Sequence, residues 1–145
     1  MTATPMLVVL ALSLGVASPA AAQRFMYTGM PDADVVAFLG KLQQAVGAGD
    51  RAAVAGMVLY PLRVNRDSAR HTLVASRAEL LRRYDAVFTP AIRRAIVTET
   101  AATLTGGLDG AGIKAGLVWI SGVCDSRQLP RCRLGVASVN LHDER

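Results

Sequence analysis

Little in this chain offers ready-made chemistry. Its 145 residues include two cysteines, two histidines and one tryptophan, and aromatic residues make up only 5%. His71, His142, Cys124 and Cys132 are too scattered to supply a close-spaced ligand set, so no metal is expected. Ser-His-Asp catalysis would want a Gly-x-Ser-x-Gly elbow, and a nucleotide would want a glycine-rich loop between a strand and a helix; neither is present. No cofactor is therefore expected. A membrane span needs about 20 consecutive apolar residues, and the apolar stretch that opens at Leu7 is interrupted by Ser13, Ser18 and Pro19.

That stretch is nevertheless the most informative part of the sequence. It ends in small residues, Ala20-Ala21-Ala22 before Gln23, the pattern of a secretory signal peptide over residues 1–22 with cleavage near Ala22–Gln23. The leader has no Lys or Arg, so its amino-terminal charge is the α-amine alone. No Cys follows it to carry a lipid anchor. The expected location is outside the cytoplasm, in a periplasm or the medium. Residues 23–145 then form a single domain of 123 residues, enough to bury about two-thirds of the unfolded surface around one core.

Export also sets the state of the cysteines. An even pair in an oxidising compartment closes, so Cys124 and Cys132 are read as a disulfide across a short loop, worth about 2.5 kcal/mol on the chain-entropy scale. The net charge of +5 belongs wholly to the domain and is concentrated, with eight arginines between residues 63 and 94. Arg63, Arg66, Arg70, Arg82, Arg83, Arg93 and Arg94 could give weak contact with an anionic envelope surface. Glu79 and Arg83, spaced i,i+4, instead suggest an ordinary solvated helix face. No aromatic residues interleave the arginines, and together with the compartment this argues against nucleic acid.

Periodicity orders the elements. After an extended lead-in over residues 24–30, Val35, Phe38, Leu39, Leu42 and Val46 form one helical stripe that ends at Gly47 and Gly49. Asp50 caps a second short helix reaching Val58. Leu62 to Asn65 and Leu73 to Ala75, joined by the polar run Arg66 to Arg70, read as a hairpin. Ser76 with Glu79 is a capping box opening a helix with Leu80, Tyr84, Val87 and Phe88 on one face; Thr89 and Pro90 restart the chain as N-cap and N1. From Val97 the period becomes two, predicting antiparallel strands over about 98–106, 112–122 and 132–141. Helices first and a strand meander last is an α+β layout, with helices on one face of a curved antiparallel sheet.

That order, with Gly49-Asp50, Tyr60-Pro61-Leu62-Arg63-Val64 and Tyr84-Asp85-Ala86-Val87-Phe88-Thr89-Pro90, resembles the nuclear transport factor 2-like superfamily, the cystatin-like cone shared with SnoaL-like proteins. Together with Gly112-Ile113 and Val118-Trp119-Ile120, it looks closest to a group of exported bacterial proteins of that fold. The resemblance implies a conical pocket between sheet and helices, but fold alone does not fix what such a pocket does. Ketosteroid isomerases of the superfamily would call for a Tyr on the first helix, an Asp base after the first strand and a protonated Asp on a late strand. Those positions fall near Leu42, at Asp67, and near Gly135 or Ser138, so only the base has a counterpart.

Asp67 and His71 are thus the candidate catalytic residues, with a solvated or arginine-paired turn as the plainer reading of both. Tyr60, Tyr84 and Trp119 are the candidate pocket residues, each with an apolar body and a polar tip, with core packing as the plainer reading. Tyr84 lies on a buried stripe, so its hydroxyl must find a partner or reach a cavity. The expectation is a non-enzymatic domain that binds a small apolar ligand or an envelope component. An isomerase or dehydratase using Asp67, and a module that homodimerises through its sheet, are the alternatives.

Overall fold

The computed structural model describes residues 24–25, 31–124 and 132–141; the leader, the loop between the cysteines and the polar end from His142 lie outside the described residues. The order is α1 (Asp32–Gly47), α2 (Arg51–Gly56), β1 (Val58–Asn65), β2 (His71–Val74), α3 (Arg77–Arg82), α4 (Tyr84–Val87), α5 (Pro90–Thr98), β3 (Thr105–Gly107), β4 (Gly110–Ile113), β5 (Val118–Cys124) and β6 (Cys132–Asn140). The helices start where their caps are written. Asp50 accepts from the Ala53 amide at 2.9 Å and Ser76 from that of Glu79 at 3.2 Å. Thr89 accepts from the Ile92 amide at 3.2 Å, with Pro90 in the first turn.

The six strands form one open sheet in the order β2-β1-β6-β5-β4-β3. This is the α+β class expected, with one difference in pairing: β1 runs parallel to β6, while the other pairs are antiparallel. Cys124 and Cys132 face each other across the β5–β6 ladder and are joined by the expected disulfide.

Several boundaries move: β2 begins at His71, and the helix opened by Ser76 divides at Arg83 into α3 and α4. The second helix stops at Gly56, and β1 begins at Val58 and runs through Tyr60 and Pro61. The strand expected over 98–106 shrinks to Thr105–Gly107, because α5 continues to Thr98 and residues 99–103 fold into a side-chain-bonded turn. The strand expected over 112–122 is broken by a 3-10 turn at Lys114–Gly116, where Lys114 and Ala115 have φ of 46° and 57°. Threonine at a strand-like position thus serves turns here, its hydroxyl competing with the ladder for backbone partners.

The two sides of the sheet have different fates. On one side Leu62, Val64, Ile113, Val118, Ile120, Val136 and Val139 are fully buried. They meet Val35, Leu39 and Leu42 of α1, Phe88, and Ile92 and Ile96 of α5 in one cluster. These side chains pack together between helices and sheet. A register shift leaves Ala137 as an extra residue between the Ile120–Val136 and Trp119–Ser138 pairs, a bulge that bends β6 and keeps both Val136 and Val139 inward.

The core also draws in a residue from the lead-in. Phe25 is fully buried, and Asp32 at the start of α1 accepts from the Arg24 and Phe25 amides at 3.0 and 3.2 Å. Arg24 reaches the Ala101 carbonyl at 2.7 Å. Phe25→Ala is therefore expected to cost about 3–5 kcal/mol in a denaturant titration, as for other buried aromatic truncations; a loss below about 1 kcal/mol would show that this segment is not part of the core.

Candidate binding site on the open face of the sheet

The sheet's other face carries the polar half of each strand's alternation. Asn65, Trp119, Ser121, Ser138 and Asn140 stand on it with Arg63, opposite the buried valines and isoleucines beside them in sequence. Arg63 pairs with Ser138, Ser138 with Trp119, and Trp119 with Gly112 in adjacent strands. From β5 the indole reaches past β4 to Gly107 on β3 and to Gly116 in the turn. A Cβ on Gly107 would stand 3.2 Å from its far edge, and one on Gly116 would stand 3.1 Å from its Nε1. Gly116 also has φ of +106°, a conformation that favours glycine. The ring is half-buried on this glycine bed and borders a cavity of about 570 Å³ shared with Arg63, Leu108, Asp109, Ser121 and Ser138.

Arg63 and Asn65 also border a second depression of about 290 Å³, closed by the β1–β2 turn and Asn140. Between the two runs a fixed polar chain. Arg63 Nε donates to Asn65 Oδ1 at 2.8 Å, the Asn65 amide donates to Asn140, and the Asn140 amide donates to the Gly116 carbonyl.

Glu99 sets the bed on which Trp119 lies. It is 5% exposed and accepts from the Thr100 amide at 2.9 Å, the Thr103 hydroxyl and the Lys114 amide. Burial pushes its carboxyl up, but the bonds from Thr103, Lys114 and Thr100, with the Lys114 charge, outweigh that and hold it below the usual range. One carboxylate thus ties the end of α5 to the left-handed turn that carries Gly116.

The sequence-derived candidates separate. Trp119 lies on the open face. Tyr84 lies on the helix side, 3% exposed and stacked on Phe88, with Arg51 over its ring at 5.1 Å. Its hydroxyl has no hydrogen-bond partner among the described residues, and the residue borders a cavity of about 370 Å³ with Arg51, Arg93 and the loop after α1. Burial raises its pKa against the opposing charges of Arg93 and Arg51. Tyr60 donates to the Ala55 carbonyl at 2.8 Å, and burial likewise raises its pKa. The three therefore do not line one pocket.

Asp67 is held in the turn. It accepts from the Ala69 and Arg70 amides at 3.0 and 2.7 Å and pairs with the Arg70 guanidinium at 2.6 Å. The Arg70 hydrogen bond leads in holding its carboxyl below the usual range, the wrong direction for a base at neutral pH. His71 is exposed at the start of β2. Leu42 is buried in the core, whereas Gly135 and Ser138 are on the strand positions of the opposite face, so the isomerase-like positions do not converge.

The arginines disperse as well. Arg63 is on the sheet, Arg66 and Arg70 in the hairpin turn, Arg82 and Arg83 at the end of α3, and Arg93 and Arg94 on α5. Arg70, Arg83 and Arg93 are spent on Asp67, Glu79 and Asp85. The polar partners Asn65, Ser138 and Asn140 were not foreseen as site residues; the alternation of Val118, Trp119 and Ile120 was the available signal that Trp119 faces away from the core. Among the described residues no helix is long and apolar enough to cross a membrane, and no acidic, His and Cys group could hold a metal. No family model, curated protein or solved structure matches the chain.

Two outcomes follow. Glu99 has a folded pKa below its unfolded value, so its contribution is complete above about pH 4.3 and is lost as pH falls through the folded value. Glu99→Gln is expected to lower stability at pH 7 by about 1–3 kcal/mol and to flatten the acid limb of a stability–pH curve. An unchanged acid limb would show the carboxylate to be uncoupled from folding. Tyr84→Phe removes a buried, unpartnered hydroxyl and is expected to change stability by less than about 1 kcal/mol, in either direction, in the same titration; a larger loss would reveal a bond to that hydroxyl.

Proposed function

We propose that this chain is an exported, non-enzymatic binding domain of the nuclear transport factor 2-like type, which takes an envelope component on the open face of its sheet. The observation that supports this most is Trp119, half-buried on a bed of two glycines and ringed by side chains with hydrogen-bonding capacity. A large aromatic held in one orientation beside fixed polar groups is how a ligand site combines contact area with orientation. The continuous hydrophobic cluster between helices and sheet favours this face over a conical pocket as the place of binding. The spent carboxylate of Asp67 favours binding over turnover. The disulfide and the Ala-x-Ala leader support export.

Native mass spectrometry of the protein purified from a bacterial envelope tests the reading. A non-covalent adduct that disappears on denaturation, and that Trp119→Ala loses while its melting temperature stays within a few degrees of the parent, is expected. An adduct that survives Trp119→Ala would move the site elsewhere. Turnover abolished by Asp67→Asn would restore the isomerase or dehydratase alternative.

A further inference from the structure

The two depressions on the open face share Arg63 and Asn65, so they form one groove with a flat aromatic near one end and the β1–β2 turn at the other. Its polar groups are unequally used. Asp67 and Arg70 neutralise each other at the turn. Among the described residues Arg63 bonds only through Nε, to a neutral amide, and its terminal N–H groups have no partner there. Asp109, in the two-residue turn between β3 and β4, makes no ion pair among the described residues, and neither Ser121 nor Ser138 spends its hydroxyl on a described neighbour.

We infer that this groove binds a saccharide chain, one sugar ring lying on Trp119 and further units running past Arg63 toward the β1–β2 turn; this rests on the reading of the open face as the binding surface. A pyranose presents an apolar C–H face and an edge of hydroxyls. The indole matches the first, and a guanidinium, a carboxylate and two hydroxyls with open valences match the second. The other occupants fit less well. An apolar ligand would cover these groups without partners, at about 1–3 kcal/mol for each one buried. A second copy of the chain would cover Arg63 and Asp109, and taking those charges out of water without partners would oppose association. An anionic lipid surface would meet the Asp109 carboxylate beside Trp119.

The fixed chain Arg63–Asn65–Asn140–Gly116 gives the groove floor before any ligand arrives, which lowers the ordering cost of binding.

Trp119 is the chain's only tryptophan, so its emission reports this groove and nothing else. The full exported protein is titrated with the tetramer of N-acetylglucosamine and with maltotetraose, and then with the disaccharide of each. A saturable change in emission with at least one tetramer is expected, with its disaccharide binding about tenfold more weakly because it covers only one depression. Arg63→Ala is expected to weaken that tetramer about tenfold without moving the melting temperature, and calorimetry on Trp119→Ala should show no binding. Equal affinity for tetramer and disaccharide would overturn the two-depression groove. No change with any of the four sugars up to about 10 mM would overturn the saccharide assignment.

Two controls separate that failure from failure of the binding reading itself. Emission that responds to phosphatidylglycerol vesicles but to no sugar would leave a binding face with a different ligand class. Emission that changes only with protein concentration, alongside a doubled mass in solution, would make the face a dimer interface and overturn both.

Discussion

The buried carboxylate of Glu99 is the constraint on which the site depends. An ionised group at 5% exposure is tolerated only when its oxygens are fully engaged, and here three donors from two separate segments converge on it. The engagement has a geometric consequence. Holding the Lys114 amide fixes the start of a turn with two non-glycine residues at positive φ, and that turn delivers Gly116 beneath Trp119. Strain of this kind persists only where the surroundings over-determine it. Gln43 reinforces the same junction from α1, donating to the Ile96 and Glu99 carbonyls at 3.0 and 2.9 Å.

Seen from this junction, the fold divides its work between the two sides of one sheet. The helix side is closed by aliphatic packing and by Phe25 and Phe88, so cavities on that side lie near helix ends, as beside Tyr84. The open side keeps its polar groups because none of the described helices covers them, and the β6 bulge lets one strand serve both sides. Without Ala137 as the extra residue, strict alternation could not bury both Val136 and Val139 while turning Ser138 and Asn140 outward.

Much of the fold was legible from local rules. The α1 stripe, the caps at Asp50, Ser76 and Thr89, the β1–β2 hairpin and the cysteine pair all follow from spacing and end chemistry, and all are present. The misplaced strand at 98–106 shows where such rules end. Thr98 to Thr105 is rich in threonine and reads as β, but one oxygen of Glu99 gathers the Thr100 amide and Thr103 hydroxyl into a turn while the other accepts from the Lys114 amide, fifteen residues away. Only the tertiary fold supplies that partner. The break at Lys114–Gly116 has the same origin.

The site was half legible for a related reason. Tyr60, Tyr84 and Trp119 stood out as amphipathic aromatics, yet residue type says nothing of which side of a sheet a side chain takes. The alternation around Trp119 does carry that information, since Val118 and Ile120 must both be inward once a core exists. What no local pattern carries is the distance across strands: Arg63 and Trp119 are 56 positions apart and share a row only because β6 inserts between β1 and β5. The parallel β1–β6 pairing, which a reading as a simple antiparallel meander omits, is thus the step that assembles the groove. A binding face made this way tolerates sequence change along each strand as long as the row is kept, whereas the glycines under the indole and the carboxylate behind them leave little latitude.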